Sequence, residues 1–405
     1  MSFDMTKPVS QKERAIDSTA ELIALLLVGT VTEAMFLMLP SFVGALGDVL
    51  HLSATRAGLL ASADLTGIAL MTATAPWWLR RVSWRPTVLA SLAAFLLTNM
   101  VCFAVHSFWP LLCLRLFAGL TAGVAYPIAL AGVLDTTRAD RNTGLLISVQ
   151  VMFGAAGVYA IDAARLAWRL DAFYVFLSAW LLITFLVSSR WYPADPGDRP
   201  LSGPVAWRSL VGRGSLVAAG TGLYFLMIGA VWGYLEGIAR EAGLSLEQTG
   251  TALSAGLVVS LLGSGAAAWL GLRFGRARPL MLSALVQVIS LGLLTRLSHF
   301  AEPVTAFFVI NAVFQIMWSY IVPYFIIIFN DVDASGRFVA VYGTASHLTL
   351  AIGPYVGGLL IANRHYTPLL WFGIIAAIAC YVCFLAAIGL GRAARGAPGI
   401  IVSVA

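Results

Sequence analysis

The residues best suited to chemistry in this sequence are ionisable side chains inside long apolar stretches. Glu33, Asp64, Arg115 and His347 each lie within such a stretch. A charge at membrane depth is costly, so residues of this kind usually face a cavity and carry a function. A carboxylate withdrawn from water can bind and release a proton near neutral pH, and histidine titrates there unaided. Glu33, Asp64 and His347 are therefore candidate proton-coupling groups, and Arg115 is a permanent charge that must be paired.

Each candidate also has a purely structural interpretation. Arg115 cannot lose its charge and needs an anion, which Glu33, Asp64 or a substrate carboxylate could supply. Glu33 could instead hydrogen bond to a neighbouring helix, and Asp64 could belong to an ion pair that only fixes packing. His347 could be a histidine with satisfied hydrogen bonds and no titrating role.

Polar and aromatic residues at helical spacing extend this set. Arg115 and Tyr126 share one face that is otherwise made of small residues. Asn311, Gln315 and Trp318 follow at i, i+4 and i+7, a stripe that either lines a cavity or forms hydrogen bonds between helices. The candidate substrate-binding residues are Arg115, Tyr126, Gln150, Tyr224, Asn311, Gln315 and Trp318.

Charged residues near the predicted helix ends receive a simpler interpretation. Asp162 and Arg165 are spaced to form an ion pair at an exposed loop or vestibule, where such pairs contribute little to stability. Glu236 is interpreted as an ordinary charge near a loop.

The composition shows what kind of protein must position these residues. Of 405 residues, 60% are hydrophobic and 11% are charged, and the mean hydropathy is +0.88. An ordinary soluble domain has about 25% charged residues, so a soluble globular protein is excluded. The apolar residues would fill on the order of twelve transmembrane helices. We therefore expect an all-α integral membrane protein.

Apolar stretches between charged or turn residues predict twelve transmembrane spans. They lie at about 20–42, 57–76, 86–106, 110–131, 144–164, 172–189, 214–238, 248–272, 279–298, 303–329, 339–362 and 367–391. A polar interval divides them six and six. The predicted domains are an N-terminal segment (1–19), a six-helix bundle (20–189), a linker (190–213), a second six-helix bundle (214–391) and a C-terminal tail (392–405).

The distribution of basic residues predicts the orientation. Most of the 25 Lys and Arg residues fall on the side that carries both termini and the linker, and basic residues accumulate in the cytoplasm. We expect cytoplasmic termini, a retained first span and a multi-pass protein of the plasma (inner) membrane.

An internal repeat relates the two bundles. Residues 52–63 align with residues 244–255, and in the following loop Arg80 and Arg85 align with Arg273 and Arg278. Two pseudo-symmetric six-helix halves are typical of secondary transporters, which bind substrate between the halves near the midplane.

These loops resemble those of the major facilitator superfamily, whose form is G-x-x-x-D-R-x-G-R-R. Residues 271–279 match well, with Leu272 in place of the acid, and residues 78–86 keep only the basic positions. The resemblance implies a gate loop at the cytoplasmic side. In the family the acid of this loop stabilises the closed cytoplasmic gate, and because the acid is missing here, other residues are expected to make that interaction. The implied gate-loop residues are Arg80, Arg81, Arg85, Arg273, Gly275, Arg276 and Arg278.

Two further motifs support the resemblance. Residues 115–123 follow the family's R-x-x-x-G-x-x-x-G pattern, whose Arg is associated with proton coupling, although helix packing alone could explain the glycines. The G-P-x-x-G-G pattern of drug antiporters is missing from the fifth span, which has Gly154 and Gly157 but no proline. It occurs instead at 353–358 in the eleventh span, which weighs against a typical multidrug antiporter.

The sequence predicts a transporter and not an enzyme. It has no phosphate-binding loop and no metal-ligand cluster, and its +6 charge is spread over short loops, so no cofactor, metal or nucleic acid is expected. We expect a monomer that moves a small solute and protons by alternating access. Uptake of an organic anion or amphipathic metabolite by symport is favoured slightly. The alternatives are a proton-antiport exporter of drugs or metabolites and a lipid or lysolipid flippase.

Overall fold

The computed structural model describes residues 18–194, 211–332, 339–361 and 365–396. The predicted N-terminal segment, apart from residues 18 and 19, lies outside the described residues. So do residues 195–210 of the predicted linker and the tail beyond residue 396.

Fourteen α-helices run through the described residues. They are α1 (Thr19–Val31), α2 (Ala34–Leu37), α3 (Leu39–Val49), α4 (Ala54–Trp78), α5 (Trp84–Cys102), α6 (Phe108–Leu134), α7 (Ala139–Trp168), α8 (Asp171–Trp191), α9 (Arg213–Glu241), α10 (Leu246–Leu270), α11 (Ala277–Leu294), α12 (Pro303–Val332), α13 (Val339–Leu360) and α14 (Thr367–Gly396). Within the described residues, ten of these helices are long and apolar enough to cross a bilayer. The first predicted span is divided into α1, α2 and α3, and the eleventh is α13. The all-helical membrane fold with twelve spans is confirmed.

We call α1–α8 the first half and α9–α14 the second half. The α4–α5 and α10–α11 connections lie at one end of the helices, the arginine end. The α3–α4 and α9–α10 connections lie at the opposite end, the far end. That the arginine end is cytoplasmic stays a prediction from the distribution of Lys and Arg.

Glycines set the helix spacing inside each half. A Cβ added to Gly119 on α6 would overlap the backbone carbonyl of Asp64 on α4, and one added to Gly67 would overlap α6. In the second half, a Cβ on Gly263 of α10 would overlap the carbonyl of Ile316 on α12. Small residues allow membrane helices to approach this closely. The glycines of the R-x-x-x-G-x-x-x-G segment therefore serve packing.

Matching ion pairs join helix ends within each half at the arginine end. Arg80 donates to Asp135 through Nη1 (2.5 Å to Oδ2) and Nη2 (3.0 Å to Oδ1). Arg276 Nη2 donates to Asp331 Oδ1 at 2.5 Å. Each pair joins residues 55 positions apart, so the structural counterpart of Arg80 in the second half is Arg276 and not Arg273. The acids come from the ends of α6 and α12, where a carboxylate opposes the helix dipole and benefits from a guanidinium.

The other gate-loop residues contact their own half or solvent. Arg85 donates to the carbonyl of Ser189, and the guanidinium of Arg273 lies 5.4 Å from the ring centre of Trp269. Gly275 has φ = +70°, a conformation that favours glycine. Arg81 and Arg278 are exposed.

Candidate functional site

The first span breaks at Glu33. The Glu33 N–H donates to the carbonyl of Thr30 (3.2 Å) and not to that of Gly29, four residues back. The Gly29 carbonyl therefore loses its helical donor, and Gln150 Nε2 on α7 donates to it instead at 2.8 Å. A buried carbonyl without a donor is costly, so Gln150 stabilises the break.

A second break frees a carbonyl toward the other half. Pro40 has no N–H to donate to the carbonyl of Phe36, four residues before it. Trp232 Nε1 on α9 donates to that carbonyl at 2.8 Å. The irregular backbone of the first span thus forms a hydrogen bond between the halves, near the middle of the molecule.

Glu33 meets His347 across the boundary between the halves. Glu33 Oε1 lies 3.7 Å from His347 Nε2, and the two side chains are 10% and 24% exposed. His347 Nδ1 lies 2.8 Å from the carbonyl of Gly343, which can only accept, so Nδ1 carries a hydrogen. Nε2 is therefore the nitrogen that gains or loses a proton, and it faces the carboxylate. The ring of Tyr126 lies 5.8 Å from that of His347, centre to centre.

The polar stripe of α12 has two parts. Asn311 packs against α10, and Gln315 and Trp318 line a cavity. Asn311 Nδ2 donates to the carbonyl of Ala252 on α10 at 2.9 Å, an interhelical hydrogen bond. Gln315 Nε2 and Trp318 Nε1 are buried and have no hydrogen-bond partner among the described residues. Both side chains line a small cavity of about 20 Å³. Its lining is Phe36, Leu37, Val151, Ile228, Trp232, Leu257, Phe314, Gln315 and Trp318.

Arg115 is sealed inside the first half. It is fully buried and forms an ion pair with Asp64, which is fully buried too. Nη1 lies 3.5 Å from Asn99 Oδ1, and the rings of Phe42 and Phe173 lie 5.3 Å and 5.9 Å from the guanidinium carbon. Of the three candidate anions for Arg115, Asp64 is the one that it contacts.

Tyr224 lies in the interior of the second half. Gln287 Nε2 donates to its hydroxyl at 2.8 Å, and the Tyr381 hydroxyl donates to Gln287 Oε1 at 3.0 Å. Ser283 adds a contact of 2.9 Å to Tyr381. The structure therefore does not bring Tyr224 together with the side chains around Glu33.

A charged cluster joins the halves at the far end. Arg165 on α7 donates to both carboxylate oxygens of Glu236 on α9, at 2.8 Å and 2.9 Å, and to Asp48 on α3 at 2.7 Å. Arg240 donates to Asp48 at 2.5 Å. Asp162 Oδ1 lies 3.5 Å from Arg165 Nη1. These five residues form the far-end cluster.

The expectation of an exposed ion pair was wrong at this position. Asp162 is 2% exposed, Arg165 5% and Glu236 1%, because the two halves meet at these residues. A signal was present in the sequence, since acid and arginine recur at i, i+3 (162, 165) and at i, i+4 (236, 240) near the ends of two spans. Spacing alone could not show that these two ends face each other.

The G-P-x-x-G-G segment completes the closure. The Tyr234 hydroxyl lies 2.9 Å from the carbonyl of Pro354 and donates to that of Ala54, at 2.8 Å, in the other half. Thr55 donates to the carbonyl of Gly358 at 2.9 Å. A Cβ on Gly358 would overlap the backbone of Ala54, so glycine permits the close approach of α13 to α4. The far end is closed across these contacts, beside a cavity of about 670 Å³ that is lined in part by Asp48, Tyr234, Glu236 and Arg240.

Sequence comparison decides the family. The family model of the Major Facilitator Superfamily matches residues 22–217 and 217–400. The chain belongs to the major facilitator superfamily. As a member of this superfamily it is a membrane transport protein and not an enzyme. A search of curated proteins finds no match.

Solved structures of other major facilitators share the fold. They include the nucleoside transporter NupG (11% identity, TM-score 0.66, covering 92% of this chain and 99% of that one). A structure of a proton-dependent oligopeptide transporter has 12% identity and a TM-score of 0.70, covering 93% and 99%. An inward-facing, unoccupied bacterial homologue of the lysosomal transporter Spinster has 13% identity and a TM-score of 0.64, covering 93% and 98%. At such identities the likeness shows the fold alone.

Proposed function

We propose that this major facilitator couples solute transport to protons through the Glu33–His347 pair. The observation that carries the proposal is the 3.7 Å approach of the two side chains from opposite halves. With His347 protonated and Glu33 ionised, the pair attracts and joins the halves near the middle. Loss of the His347 proton removes the attraction, so the position of the halves depends on proton occupancy.

The geometry favours an amphipathic solute with hydrogen-bond acceptors. Gln315 Nε2 and Trp318 Nε1 are donors without partners, and the Phe36 ring lies 6.3 Å from that of Trp318. In this structure the cavity of about 20 Å³ has room for about one water molecule, so a solute enters only when the halves separate and the cavity enlarges. A planar solute with a carbonyl or ring nitrogen would then satisfy the donors and stack on the aromatic rings. Arg115 already pairs with Asp64, so the argument for an organic anion loses its support. We therefore propose a neutral, amphipathic small molecule.

For direction, we propose uptake by proton symport. The support is the absence of the antiporter proline beside Gly154 and Gly157 in the fifth span. A lipid path is less well supported, because both side walls between the halves are joined toward the far end. Ser62 accepts from the Tyr355 N–H at 3.0 Å, and Ser254 donates to the carbonyl of Ala155 at 2.8 Å.

The test is solute-driven proton movement in proteoliposomes that contain a pH-sensitive dye. The panel is neutral aromatic amides, nucleosides, amino acids, aromatic acids and cationic drugs. We expect a neutral aromatic solute to acidify the lumen, and Glu33→Gln and His347→Gln to abolish this while solute binding persists. The matched controls are Glu247→Gln and His299→Gln, which change exposed residues at the far end.

The outcomes separate the parts of the proposal. Proton movement that survives both Glu33→Gln and His347→Gln would overturn coupling at this pair. Alkalinisation of the lumen by the same solute would replace symport by antiport. Coupling seen only with charged members of the panel would overturn the neutral solute class.

A further inference from the structure

The far-end cluster contains more acid than base. Its carboxylates are Asp48, Asp162 and Glu236, and its guanidiniums are Arg165 and Arg240. Asp162, Glu236 and Arg165 are buried, whereas the side chains of Asp48 and Arg240 are 39% and 40% exposed, so two carboxylates share one guanidinium in the buried part of the cluster. An excess charge in such a place is costly unless a proton neutralises it.

The donors of the cluster are shared unequally. Both Nη atoms of Arg165 donate to Glu236, and Nη2 also donates to Asp48. Arg240 donates to Asp48 and lies 3.6 Å from Glu236. Asp162 receives no hydrogen bond from a described residue on either oxygen, although both oxygens are buried. Asp162 is therefore the carboxylate that is least able to stay ionised.

The helices around Asp162 offer no further cation among the described residues. Its own helix contributes Arg165, and α9 contributes Glu236 and Arg240. On α3 the groups are Asp48 and the buried hydroxyl of Ser41, which faces Asp162 without a hydrogen bond of ordinary geometry. On α10 the facing residue is Gly250, where an added Cβ would lie 2.8 Å from Asp162 Oδ2.

We infer that Asp162 holds a proton while the far end is closed, and that this proton site is separate from the Glu33–His347 pair. A neutral carboxyl gives the cluster two carboxylates for two guanidiniums. Its O–H can also donate to a neighbouring carboxylate or to the Ser41 hydroxyl. The site requires alternating access but does not require coupling at Glu33.

Opening the far end would release this proton. Glu236 and Arg240 move away with α9, and Gly250 moves with α10, while Arg165 stays beside Asp162 on α7. Water then reaches the Asp162 carboxyl, and Arg165, free of Glu236, can pair with it. The carboxyl ionises toward the far side. The closed state binds one proton more than the open state, so low pH favours closure and high pH favours opening.

The test measures closure of the far end directly in the full-length protein in nanodiscs. The four native cysteines are replaced by alanine, and spin labels are attached at Ala167→Cys on α7 and Thr251→Cys on α10. Pulsed electron paramagnetic resonance then measures the distance between the two labels, and so between the halves. One linked proton lets the closed-to-open ratio fall by up to about tenfold per pH unit as pH rises. We expect Asp162→Asn, which mimics the neutral acid, to stay closed at high pH and to lose this dependence.

Two control variants distinguish this site from others. Asp171→Asn removes an exposed acid near the same end and should keep the wild-type pH dependence. Glu33→Gln should keep it as well, even if that variant abolishes coupled transport. If only Glu33→Gln removes the pH dependence, closure of the far end depends on the Glu33–His347 pair, and the proton site at Asp162 is overturned. Wild-type pH dependence in Asp162→Asn would also overturn it.

An infrared measurement covers the case in which Asp162→Asn fails to fold. The wild-type protein at neutral pH should show the carbonyl stretch of a protonated carboxyl that is lost when the pH rises far enough to open the far end. Ser41→Ala, which removes a possible partner of the O–H, should shift that band. The absence of a band that disappears on opening would contradict a protonated Asp162, whichever partner its O–H has.

Discussion

The two halves share helix packing but bury different polar chemistry. In the first half, the full charges of Asp64 and Arg115 form an ion pair with no exposed surface. In the second half, the neutral side chains of Gln287, Tyr224 and Tyr381 form the buried network. The second half thus shows that six helices of this architecture pack together without a buried ion pair. The charges are a property of the first half and are not imposed by the fold.

The largest effect is expected where the first half would lose one charge of its pair. Asp64→Asn leaves the guanidinium of Arg115 buried without an anion. We expect the free energy of unfolding to fall by roughly 3–5 kcal/mol. Thermal and denaturant unfolding in detergent micelles measure this loss.

The same experiment in the second half makes the comparison quantitative. Gln287→Leu leaves two tyrosine hydroxyls with fewer partners but no uncompensated charge, so the expected loss is about 1–2 kcal/mol. Replacing both charges, as in Asp64→Leu with Arg115→Met, should restore most of the stability that Asp64→Asn loses. Equal losses for Asp64→Asn and Gln287→Leu would show that the two interiors do not differ energetically.

The next effect should be shared by both halves. Gly119→Ala and Gly263→Ala each place a methyl group against the backbone of a neighbouring helix, which cannot move as a flexible side chain can. We expect each to cost about 2–3 kcal/mol. The unfolding midpoint of each variant in the same detergent tests this expectation.

Gly292→Ala on α11 is the control, because open space surrounds that position. It should leave stability unchanged or raise it by roughly 0.5–1 kcal/mol through helix propensity. A destabilising effect in one half alone would mean that the close contacts of the two halves are not equivalent.

The smallest effect is expected at the arginine end. Arg80→Gln and Arg276→Gln each remove one ion pair that is partly open to solvent, and each should cost no more than about 1 kcal/mol. The Arg80 variant should lose more, because Asp135 is 4% exposed while Asp331 is 20% exposed. Added salt should reduce the loss more for Arg276 than for Arg80. The reverse order would show that burial does not control these pairs.

Composition and hydropathy predicted the membrane class and the twelve spans, because lipid imposes both on any helical membrane protein. They could not predict the breaks at Glu33 and Pro40, where backbone carbonyls accept hydrogen bonds from side chains of α7 and α9. A helical pattern reports the face on which a residue lies but not the helix that it meets. For this reason Arg115 had three candidate anions, and Tyr224 was placed among cavity residues although its partner is Gln287.

The contacts of His347 and Asp162 illustrate the same limit. The Glu33–His347 approach joins residues 314 positions apart, and no local pattern encodes it. The burial of Asp162 depends on Gly250 and Glu236 of the other half. The ionisable candidates were visible in the sequence, but their partners depended on how the halves fit together.

The hydrogen bond from Trp232 to the Phe36 carbonyl has a consequence for wetting. It is a bond between halves to a carbonyl whose i+4 donor is removed by Pro40 and whose remaining backbone donor is an N–H at the end of α2. When the halves separate at this level, the carbonyl keeps the backbone N–H of its own span but loses the indole, and a water molecule can take the place of the indole. Hydration of the centre therefore favours separation of the halves, because water restores the second hydrogen bond of this carbonyl.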